Sequence, residues 1–86
     1  MRRSIDDEPI GLNGLPPGAD DATPVWWAVA ICDDYDDAEP RVVLTVEDIG
    51  NPGAGLVAHL SAEQTRRLRG ALHDALREVE IGRAHV

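Results

Sequence analysis

The spacing of apolar residues changes once along the chain. From Val25 to Leu60 they tend to alternate at a period of two, and from Ser61 to Val79 they recur at three and four. The first spacing belongs to strands and the second to a one-sided helix. In the helical stretch Leu68, Ala71, Leu72, Ala75, Leu76 and Val79 form an apolar stripe. Ser61 is a good N-cap, and Gln64 stands three residues on, where it can reach back to the Ser61 N–H as in a capping box. Glu63 suits the positive end of the helix dipole. Gly70 is the flaw: it costs about 1 kcal/mol against Ala unless another backbone needs the space. The pattern predicts a helix over about 62–79.

Three strands are expected before it, at about 25–32, 41–47 and 56–60. In the first, Val25, Trp27, Val29 and Ile31 share one face, and Trp26, Ala28, Ala30 and Cys32 share the other. The first face, with the larger side chains, is the expected core face. The second is small and apolar, so the tail or another copy of the chain should cover it. In the second strand Val42, Leu44 and Val46 oppose Arg41, Val43, Thr45 and Glu47. In the third, Leu56, Ala58 and Leu60 should point inward and Val57 and His59 outward. Residues 50–55 are a turn by composition. The expected fold is α+β, a three-stranded antiparallel meander followed by one amphipathic helix in the order β-β-β-α. Residues 1–24 are acidic at Asp6, Asp7 and Glu8, then rich in Gly and Pro, and read as a flexible tail ahead of a single domain at 25–80.

Charge changes this picture more than composition does. The net charge is −8. Residues 1–60 hold three Arg against twelve acids, and residues 61–86 five Arg against four. The acidic part argues against direct nucleic-acid binding. Every basic side chain is Arg, and Ala, Gly, Pro, Asp and Arg abound; their GC-rich codons suggest a high-GC source such as an actinobacterium. Cys32 is alone, which rules out an intramolecular disulfide. With no signal peptide and no apolar run of membrane length, the expected location is cytoplasmic and off the membrane. The last six residues, Ile81-Gly82-Arg83-Ala84-His85-Val86, are what a widely used sequencing-adapter string encodes. They are expected to be read-through rather than native sequence, with the true C-terminus lying past about Glu80.

Candidate chemistry is thin. Asp33, Asp34, Asp36, Asp37 and Glu39 cluster between the first two strands and offer oxygens for a hard cation. Their spacing lacks the Gly and the bidentate Glu of an EF-hand loop, and a solvated acidic surface accounts for them. Cys32, His59 and His73 have neither the spacing of a zinc site nor a third group to orient a nucleophile. The Gly50–Gly55 turn lacks the Lys and Ser/Thr of a phosphate loop. No catalytic residue, metal ligand or cofactor is expected. Two surfaces suit binding instead. Arg66, Arg69, His73 and Arg77 make a basic stripe on the helix, and Trp26 and Ala28 lie on the second sheet face, where an exposed Trp would anchor a partner.

The segment Val42–Val79 resembles the C-terminal strand-and-helix portion of small uncharacterised actinobacterial and actinophage proteins. Leu60-Ser61-Ala62-Glu63-Gln64 followed by Leu68, Leu72 and Leu76 carries the resemblance, and Thr65 stands where Ala is common. It implies the fold and the source and carries no activity. The expected function is therefore a non-enzymatic protein-interaction module, pairing through the second sheet face with a second copy or with another protein. The alternative is an acidic regulator that imitates nucleic acid and blocks a DNA- or RNA-binding protein through its acidic loop. A small hydrolase or metal protein ranks last.

Overall fold

The computed structural model describes residues 1–10, Gly18 and residues 24–84, with the backbone alone at 83 and 84. Four strands, β1 (Arg2–Pro9), β2 (Val25–Cys32), β3 (Arg41–Asp48) and β4 (Gly55–Leu60), precede one helix, α1 (Ala62–Ala84). They form one antiparallel sheet in the order β1-β2-β3-β4. The α+β class and the single helix after an antiparallel sheet are as expected, but the sheet has four strands rather than three.

The extra strand comes from residues read as tail. All eight residues of β1 are exposed. They pair with β2 through the backbone, Arg2 opposite Cys32 and Pro9 opposite Trp26. An edge strand held this way needs no apolar face, so no alternation announces it. The pairing shifts register between Ser4 and Asp6. Beyond it the Ile10 N–H donates to the Val25 carbonyl at 2.8 Å. Apart from Gly18, residues 11–23 of the expected tail lie outside the described residues, as do His85 and Val86 of the expected read-through.

The helix starts as its sequence dictates. The Ser61 N–H donates to Gln64 Oε1 at 2.9 Å, and the Gln64 N–H donates back to Ser61 Oγ at 3.1 Å. That is the capping box closed in both directions. Thr65 Oγ1 adds a bond to the Ser61 carbonyl at 2.7 Å. The helix runs to Ala84 rather than to 79. It touches only β3 and β4, and every residue from Ala71 to Gly82 is exposed.

This placement moves the core. Register sets Val29, Leu44 and Ala58 side by side on the first face, and Ala30, Val43 and His59 on the second. The buried cluster is Ala30, Cys32 and Val43, the last only 1% exposed, with Tyr35 packed against it. Contrary to expectation, the tightest packing lies on the second face. Small side chains can be closed over by a single aromatic ring. Trp27, Val29 and Leu44 on the first face need a whole second layer, and α1 supplies only its first turns. Leu56, expected to point inward, is 81% exposed. The radius of gyration is 15.7 Å, against about 12 Å for a compact domain of this length.

Candidate interaction surface

The first sheet face and α1 enclose an open apolar groove of about 480 Å³. Trp27, Val29 and Leu44 form its floor, Leu68 and Leu72 its helical wall, and Arg69 stands at the rim. Beyond the groove Leu72, Leu76 and Val79 continue the stripe into solvent, each more than half exposed. Leu56 extends the same apolar surface to the outer strand. Monomeric proteins seldom leave an apolar surface this continuous without a partner for it.

The second face is closed by a residue that the sequence reading passed over. Tyr35 rises from the acidic connection and donates or accepts a hydrogen bond with His59 Nδ1 at 2.8 Å, their rings meeting edge to face at 5.6 Å. The Arg41 guanidinium lies 4.7 Å from the Tyr35 ring centroid, a cation–π contact. Desolvation there pushes the Tyr35 hydroxyl above its ordinary pKa, and neighbouring Cys32 adds to the shift. The signal was available. A lone aromatic among carboxylates precedes a strand whose second face carries Arg41, and His59 falls on that face by parity.

The acidic loop is organised around this lid. Arg41 grips Asp37 with both arms, Nη1 to Oδ1 at 3.0 Å and Nη2 to Oδ2 at 2.7 Å. Arg41 first, then the Glu39 N–H, holds the Asp37 carboxyl down at about 2. The Met1 ammonium sits between the Asp33 and Asp34 carboxylates. Its pKa is pushed up to about 10, by its hydrogen bond to Asp33 and then by that to Asp34. Three of the five loop carboxylates are therefore already engaged within the chain. Asp36 and Glu39 make no side-chain contact of this kind among the described residues.

The remaining candidates are scattered. Trp26 is half-buried in a shallow hollow with Pro9, Ile49 and Pro52. Ala28 is half-buried between Asp7 of β1 and Thr45 of β3. The second face at this point is thus partly filled. Arg66, His73 and Arg77 lie exposed along one side of α1, while Arg69 turns toward the groove. Among the described residues Asp74 and Glu78 of α1 form no ion pair. Cys32 is buried, so its sulfur offers no open nucleophile. No three His, Cys, Asp or Glu among the described residues converge on a point where a metal could sit. No helix among them is long and apolar enough to cross a membrane. No family model, curated protein or solved structure matches this chain.

Proposed function

We propose that this chain is a non-enzymatic protein-interaction module that docks through the first sheet face and the apolar stripe of α1. The supporting observation is the stripe itself. Leu72, Leu76 and Val79 stand in solvent at helical spacing, continuous with a groove floored by Trp27 and Leu44. An amphipathic helix gains most of its stability from burying such a stripe, and this one buries only its first turns. The docking surface therefore differs from the Trp26 and Ala28 face expected from sequence. Arg69 at the rim would fix the orientation of the partner rather than supply most of the affinity.

A photo-crosslinking side chain at Leu76, with a second version at Arg67 on the opposite side of α1, tests this in the source cells. Position 76 should give one discrete covalent adduct, position 67 none, and Leu72→Asp should abolish the adduct at 76. Equal labelling from both positions, or none from 76, would mean that the stripe is simply solvated.

A further inference from the structure

We propose that the partner is a second copy of this chain, paired antiparallel along β4 so that two sheets become one of eight strands with both helices on the same face of it. This rests on the docking surface described above and names the occupant of its Leu56 edge. Two observations support it.

The two sheet edges differ. β1 carries Arg2, Arg3, Asp6, Asp7 and Glu8, a register shift and a closing proline, the devices that keep an edge from pairing. β4, GLVAHL, has none of them. Its outer side is well defined. The Asp48 N–H donates to the Ala54 carbonyl, and such pairs alternate along an antiparallel ladder. Leu56, Ala58 and Leu60 therefore turn their backbone groups to β3, leaving those of Val57 and His59 on the free side. A two-fold axis at Ala58 sets Val57 against His59 of the second copy in hydrogen-bonded pairs. It also sets the exposed Leu56 against the other Leu60, on the helix-bearing face.

That axis is perpendicular to the sheet, so both helices stay on one face and run antiparallel.

Exposure agrees. Leu56 is 81% and Val57 53% exposed on this strand, apolar side chains that a second copy along β4 would cover.

The test uses the purified full chain. Light scattering across a concentration series should give a dimer. Val57→Pro removes an outward N–H from each copy without touching the β3 ladder, and should weaken the dimer about a hundredfold while circular dichroism stays unchanged. Ala58→Cys, opposite itself across the axis, should form a covalent dimer under mild oxidation, whereas the parent chain with buried Cys32 should not. A dimer indifferent to Val57→Pro and uncrosslinked through position 58 would overturn the edge pairing. A monomer at every concentration would also overturn it. If position 76 then captured a different protein in cells, the docking surface would stand and its assignment to a second copy would fall.

Discussion

Asp37 is the residue on which the acidic loop turns. Its carboxylate accepts from the Glu39 N–H at 3.0 Å and from both arms of Arg41, while Arg41 also covers Tyr35. Losing the pair loosens the lid over Ala30, Cys32 and Val43. Arg41 holds the Asp37 pKa near 2, below an ordinary value of 3.8. A carboxyl depressed in the folded state stabilises it fully above its unfolded pKa, and that contribution fades as pH falls through the folded value. The melting temperatures of the wild type and Asp37→Asn should therefore differ by a constant amount above about pH 5. The gap should shrink below about pH 4 and close near pH 2. The other carboxylates titrate in both proteins and cancel in the difference. A gap that stays constant down to pH 2 would mean that the Arg41 pair does not form in solution.

At the level of elements, the chain shows where periodicity speaks and where it is silent. β2, β3 and β4 were legible because their apolar residues follow strand spacing, and the capping box at Ser61 and Gln64 marked the helix start to the residue. β1 was not legible, because a strand exposed on both faces is held by backbone pairing, which leaves no trace in side-chain type. The stripe on α1 was legible too. It says that a face is to be buried but not against what, and α1 covers the expected core face only with its first turns. Tyr35 went unseen because its neighbours in sequence are carboxylates, while its neighbours in space come from β3 and β4. Gly70 gives a test of the helix as an element. Beyond the helix's own backbone and the two chain neighbours, a Cβ there would meet no atom within 4 Å among the described residues, so no close approach of another described element explains the glycine. Gly70→Ala should stabilise the fold by about 1 kcal/mol, a rise of roughly 4–8 °C in melting temperature. A fall instead would show that something outside the chain lies against that turn, and hydrogen exchange across Arg69–Leu72 would locate it.

The whole molecule is extended, 50 by 31 by 17 Å, with its small buried cluster on one sheet face and its large apolar residues open on the other. Such a chain gains stability from whatever closes the open face. If a second copy closes it, folding and association are one equilibrium, and stability depends on concentration by mass action. Each tenfold rise in chain concentration then adds about 1.4 kcal/mol to the dimer. For two chains of 86 residues unfolding together, that shifts the melting temperature by about 3–5 °C. Differential scanning calorimetry over a hundredfold concentration range should resolve the trend, and Val57→Pro should flatten it. A melting temperature that ignores concentration in the wild type would mean that the chain is as stable alone as it ever becomes. Tyr35 and the second face would then carry the fold unaided, and the exposed leucines of α1 would serve a partner that contributes nothing to folding.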